Sequence, residues 1–142
     1  MPKRTRSNRL TIAALAAACF VAPLAFTNDA HAAPNWVRCT LTKFAGNGGD
    51  EPYKAISPIQ RIFVFDEASG TLQEYIDEQL YPARNVAISA VRMIGWIRTD
   101  RLDFNRNTGE LSIWRQPGDN VLSITAGSCA AIEPLKIRGR AF

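Results

Sequence analysis

Between Trp36 and Cys129 the chain swaps apolar for polar residues at almost every step, in short runs broken by clusters of Gly, Asn, Asp and Pro. Successive side chains on a strand point to opposite faces, so this alternation specifies sheets with one dry face and one wet face. Val37, Cys39 and Leu41 share one face of a first strand from Trp36 to Phe44, and AGNGGDEPY (45–53) is a turn-forming loop. Arg61 to Phe65 is apolar at four consecutive positions and is expected to be covered on both sides. After the DEASG turn (66–70), Thr71 to Asp77 admits two readings. Leu72, Ile76 and Leu80 at every fourth position, with a Thr71/Glu74 capping box, suit a short helix, whereas the Ser-Gly turn suits a hairpin, and the flanking β pattern favours strand.

Further on, Val86, Ile88 and Ala90 alternate, the phase is disturbed between Arg92 and Gly95, and Gly95 reads as a bulge or bend. Leu102 and Phe104, a turn at 105–109, then Leu111 and Ile113 make the clearest hairpin. PGDN (117–120) is the next turn, and Val121 to Cys129 the last strand. The expected fold is all-β, a single small antiparallel barrel of six to seven strands, with a two-sheet sandwich as the alternative. Residues 132–142, with Lys136, Arg138 and Arg140 at every second position, show no partner and are expected to form a loose tail.

The N-terminus sets the compartment. Lys3, Arg4, Arg6 and Arg9 precede an apolar run from Leu10 to Phe26, and Ala30-His31-Ala32 ends it with small residues where a signal peptidase reads. Residues 1–32 are therefore read as a signal peptide cleaved between Ala32 and Ala33, leaving 33–142 as one domain destined for the periplasm or the medium of a bacterium. Lipid attachment at Cys19 within Ala16-Ala17-Ala18-Cys19 and an uncleaved anchor are the alternatives; the run is short for a span and contains Pro23. Removing the leader takes four of the 17 bases and one of the 13 acids, so the domain carries about one net positive charge. The high pI therefore belongs to the leader, and nucleic-acid binding is not expected. Cys39 and Cys129, an even pair in an oxidising compartment, are expected to form a disulfide.

Processing also removes His31, the sole histidine. Nucleophile systems that shuttle a proton through imidazole, and ordinary zinc sites, are thereby excluded, and no catalytic residue, cofactor or metal is assigned. Asp66-Glu67, Asp77-Glu78, Asp100 and Asp103 are the carboxylates from which a glycoside hydrolase could draw a pair. Asp103 to Gly109 imitates a calcium loop but has Thr108 where Gly is needed and Trp114 where Glu is needed; Gly46 to Asp50 is one copy of a motif that works only in stacks. Trp96 with Arg98, and Trp114 with Arg115, pair an aromatic with a planar cation and form the candidate recognition surface, with core packing as the competing role for the two rings.

Cys39, Phe63-Val64-Phe65-Asp66, Phe104-Asn105-Arg106-Asn107-Thr108-Gly109 and Gly127-Ser128-Cys129 together resemble a group of small exported bacterial proteins of unknown function. That resemblance implies a fold and no activity. The expected function is a non-enzymatic envelope protein that binds another protein or a small ligand. The alternatives are a carboxylate-dependent hydrolase of a wall or extracellular polymer and a periplasmic lysozyme inhibitor. The chain is similar to those inhibitors in size, leader and Cys placement, but they carry Ser-Gly-x-x-Tyr and Trp-x-Lys-Gly where this chain has Ser89-Ala90-Val91-Arg92 and Trp114-Arg115-Gln116-Pro117.

Overall fold

The computed structural model describes residues 33–117 and 119–139; the expected cleavage site at Ala32, Cys19 and the rest of the leader lie outside the described residues. Nine strands, not six or seven, form one antiparallel sheet: β1 (Asn35–Ala45), β2 (Lys54–Asp66), β3 (Thr71–Ile76), β4 (Gln79–Pro82), β5 (Arg84–Ile88), β6 (Arg92–Ile97), β7 (Asp100–Asn105), β8 (Glu110–Arg115) and β9 (Ser123–Ala131). The short-helix reading of Thr71 to Asp77 gives way to β3; a 3-10 turn at Asn47–Gly49 is the single helical element among the described residues. The sheet order is β4-β3-β2-β1-β9-β8-β7-β6-β5, so every chain-consecutive pair is laddered except β4 and β5, and the first strand pairs with the last. The result is a nearly closed up-and-down barrel rather than a sandwich.

The extra strands arise at two turns inside expected segments: Asp77-Glu78 separates β3 from β4, and residues 89–91 separate β5 from β6. β4 and β5 are separated only by Ala83, and eight antiparallel steps around the sheet leave them pointing the same way. They are two halves of one run that meet at a seam: the first pairs with β3, the second with β6, and the Ala83 N–H donates to the Leu72 carbonyl at 2.8 Å, carrying the β3–β4 ladder one residue further. Gly95 is no bulge. It sits in the regular β6–β7 ladder opposite Leu102, and a Cβ there would lie 2.9 Å from Leu72 and 3.2 Å from Ala83, so its bareness admits the side chains that fill the seam.

Opposite the seam, Cys39 and Cys129 are direct partners in the β1–β9 ladder and form the expected disulfide. Two residues away, Gly127 faces Leu41 so closely that a Cβ would lie 1.9 Å from the Thr40 carbonyl oxygen. The Gly-x-Cys motif thus combines the bridge with the closest approach of the two terminal strands. Inside the barrel, Phe63 and Phe104 meet edge to face at 5.2 Å, surrounded by Leu41, Leu72, Met93, Leu102 and Leu111. Val64, on the outer side of the four-residue apolar run, is buried as well.

The cover over Val64 is the tail. Residues 132–139, expected to be loose, cross the outer face of β1 to β4, where Pro134, Leu135 and Ile137 line a shared hollow with Trp36, Val64 and Leu80. Three hydrogen bonds hold it: Ile132 N–H to the Trp36 carbonyl, the Tyr75 hydroxyl to the Lys136 carbonyl, and Arg138 N–H to the Glu78 carbonyl.

The β3–β4 hairpin turns on Asp77 and Glu78, both at positive φ (50° and 62°). A two-residue turn of this kind prefers Asn-Gly, because a Cβ in the left-handed region is strained. Asp77→Asn with Glu78→Gly is therefore expected to stabilise the fold by about 1 kcal/mol. Urea unfolding checks this, and the gain is reduced to the extent that the Glu78–Arg138 pair, 3.6 Å apart and exposed, contributes.

Candidate functional site: the charged mouth of the barrel

The two ends of the barrel differ. At the end where the chain enters β1, Arg106 acts as a plug: its N–H donates to the Val91 carbonyl, Nη1 donates to the Ser89 carbonyl at 2.5 Å, Nη2 pairs with Glu67, and the guanidinium lies 6.0 Å from the centre of the Phe65 ring. One arginine thus ties together three turns. Asn105 caps its own turn through N–H groups of Asn107 and Thr108, and Asp66 does the same for Ala68 and Ser69. The hairpin motif that imitates a calcium loop is therefore a lid on the core, its Arg and Asn engaged within the protein.

The opposite mouth is open and charged. Along β2, β3, β7 and β8 the inward positions of Phe63, Leu72, Leu102 and Ile113 are followed, two residues nearer the mouth, by Arg61, Glu74, Asp100 and Arg115. Arg61 grips Glu74 with two bonds, Nε to Oε1 at 2.5 Å and Nη2 to Oε2 at 2.7 Å, and donates from Nη1 to Asp100 Oδ2 at 3.2 Å. Arg115 donates from Nε to the other Asp100 oxygen at 3.1 Å. Glu74 and Asp100 are buried, Arg61 nearly so, and Arg115 is 61% exposed. Burial pulls the Arg61 pKa down, but the Glu74 hydrogen bond and charge, followed by those of Asp100, outweigh it and raise the pKa overall. A raised guanidinium pKa contributes stability that is present throughout the physiological range and is lost only in strong alkali.

Above this network lies a cavity of about 360 Å³. Leu41, Phe44, Ile56, Ile59 and Ile113 give it an apolar wall, while Ser123 and Thr125 add hydroxyls beside Arg61, Asp100 and Arg115. A β-bulge shapes that wall. Between Leu41 and Lys43 the ladders of β1 with both neighbours slip, so Leu41 and Phe44 both line the mouth while Lys43 lines a hollow on the outer surface. The rim is fastened from two sides: Gln116 N–H donates to the Thr99 carbonyl, and Leu122 N–H donates to the Arg115 carbonyl, both at 2.8 Å.

The aromatic–cation pairs expected from the sequence do not converge. Trp96 and Trp114 lie on the outer surface of the sheet, each directly across from Arg101, which stands 5.9 Å from the Trp114 ring centre. Arg101 is the cation between these two rings, whereas sequence adjacency points to Arg98 and Arg115. Arg115 follows Trp114 on a strand, so its side chain faces the opposite way, into the mouth. Arg98 occupies the β6–β7 turn at φ 54°, near the Tyr81 ring. Trp114 Nε1 is buried without a hydrogen-bond partner among the described residues.

Among the carboxylates that could furnish a hydrolase pair, Asp100 alone reaches the mouth. Asp103 pairs with Arg92, Glu67 with Arg106, and Glu78 with Arg138. Glu74, which in the sequence falls in a helix-capping box with Thr71, is the second carboxylate at the site. No group of three or more potential metal ligands occurs among the described residues, and no helix among them is long and apolar enough to cross a membrane.

Geometry defines the class: a disulfide-bridged antiparallel meander barrel with one end plugged by an arginine and the other opening onto a buried ionic network. In comparison with known proteins, no family model, no curated protein and no solved structure matches the chain.

Proposed function

We propose that this is a non-enzymatic exported binding module, carried to the periplasm or beyond by its leader, and that it takes a small ligand at the open mouth of the barrel. The observation that carries this reading is the cavity over the Arg61–Glu74–Asp100–Arg115 network. At the other end of the barrel the single arginine, Arg106, is engaged with the protein's own turns; here two carboxylates and two arginines meet beside an open cavity, and burying ions is costly unless they are paired. A rigid sheet closed by a disulfide keeps such a site preorganised without a ligand.

The hydrolase reading is less well supported by the same atoms. Both oxygens of Glu74 are engaged by Arg61, and the two of Asp100 are divided between Arg61 and Arg115, so each carboxylate already serves as the counter-ion of an arginine. A protein partner gripping the Trp96–Arg101–Trp114 face is the other form of the binding reading, but Arg101 already sits by one of those rings.

Thermal-shift screening of a small-molecule library separates the two forms. Compounds that stabilise the wild-type protein are expected to lose their effect in Thr125→Trp, which fills the mouth, and to keep it in Trp96→Ala with Trp114→Ala. The reverse pattern would move the binding surface to the outer face.

A further inference from the structure

We infer that the mouth selects a small amphipathic carboxylate, its apolar part against the isoleucine wall and its carboxylate on Arg115. The inference rests on the mouth being the binding site and adds the ligand's chemistry. Three observations carry it. First, apart from Arg61 on β2 and Ile113 on β8, the mouth is chemically divided: Leu41, Phe44, Ile56 and Ile59 come from the β1–β2 side, and Arg115 with Ser123 comes from the β8–β9 side. A ligand satisfying both must be apolar at one end and polar at the other.

Second, the two arginines are not equivalent. Arg61 donates from Nε and both Nη atoms to carboxylates, so it is part of the protein's own framework. Arg115 uses Nε alone; among the described residues no hydrogen bond engages its Nη atoms, and its side chain is 61% exposed. Those N–H groups remain for an acceptor, and a planar carboxylate matches them. Asp100, fixed from behind by Arg61, acts as the positioning residue that holds Arg115 at the rim.

Third, the charges beside the site are already balanced: Glu74 and Asp100 each face an arginine, so the donors left over at the rim are those of Arg115. An ammonium group there would meet the Arg115 guanidinium, a like charge, whereas a carboxylate meets open N–H donors and the hydroxyls of Ser123 and Thr125. The volume of about 360 Å³ lies at the small end for ligand pockets and suits a short chain or a single ring rather than a long lipid tail.

Isothermal titration of the disulfide-intact protein with octanoate, 1-octanol and octylammonium tests this, since the three share a chain and differ in the head. Octanoate should bind at least about ten-fold more tightly than octanol, as expected for a charge-assisted contact, and octylammonium should not bind measurably. Arg115→Gln should bring octanoate down to the level of octanol while leaving the unfolding curve nearly unchanged, because Arg115 itself is exposed and the buried Asp100 keeps Arg61 as its counter-ion. Thr125→Trp should abolish both. Equal binding of octanoate and octanol, insensitive to Arg115→Gln but lost in Thr125→Trp, would overturn carboxylate selection and leave the mouth as an apolar site. Binding that persists in Thr125→Trp would overturn the mouth itself, and so would no binding of any of the three.

Discussion

Removing the Cys39–Cys129 bridge, by Cys39→Ala with Cys129→Ala, is expected to destabilise the barrel by about 4–5 kcal/mol, the chain-entropy cost of releasing a loop of this length in the unfolded state. The bridged residues are 90 positions apart and enclose nearly all nine strands. Such a loss approaches the whole stability of a small domain. The folded state gives it a particular location: β1 and β9 are the first and last strands, and their pairing converts an open meander into a barrel. Comparing urea unfolding of the oxidised protein with the double variant measures the effect. A shift below about 1 kcal/mol would mean that the strand pairing, not the bridge, sets the closure. Because Gly127 touches the Thr40 carbonyl beside the bridge, that pairing has no tolerance for a side chain at 127.

Arg61→Met should cost about 3–5 kcal/mol, the usual penalty for leaving a buried charge without its counter-ion. Glu74 would lose both of its guanidinium bonds, and Asp100 would keep only Arg115. The substitute is apolar and of similar length, so little of this loss comes from packing, although Arg61 also lies 5.4 Å from the centre of the Phe63 ring. Adding Glu74→Leu removes the stranded charge and is expected to recover more than half of the loss. Urea unfolding of the single and double variants forms the cycle that isolates the pair. Additive losses would show that the carboxylate is not desolvated in the way its burial implies.

Strands and bridge were legible because they rest on local patterns: period-two alternation, turn residues and an even cysteine pair. The mouth was legible in part. Arg61, Glu74, Asp100 and Arg115 each stand in phase with core residues, in Arg61-x-Phe63, Leu72-x-Glu74, Asp100-x-Leu102-x-Phe104 and Leu111-x-Ile113-x-Arg115. A charge in phase with an apolar face marks an ion on the dry side of a sheet, and four such strands carry that signal in their amino-acid order alone. Pairing Trp114 with Arg115 by adjacency conflicts with the same alternation. What brings the four charges together is register between strands, which no single strand encodes. Pro82 marks the break between β4 and β5, but the turns at Asp77-Glu78 and at 89–91, which make two strands of each flanking segment, contain no Gly or Pro to announce them. The tail's apolar residues found their partner in Trp36, Val64 and Leu80, drawn from three separate strands.

The mouth as the binding site is tested most directly by one heteronuclear spectrum that records arginine Nε–H and tryptophan indole N–H signals together during titration with octanoate. Saturable movement of the Arg115 and Arg61 Nε–H signals, with the indoles of Trp96 and Trp114 unmoved, is the predicted result. Movement of those indoles while both arginine signals stay fixed would contradict it and return the site to the outer face of the sheet.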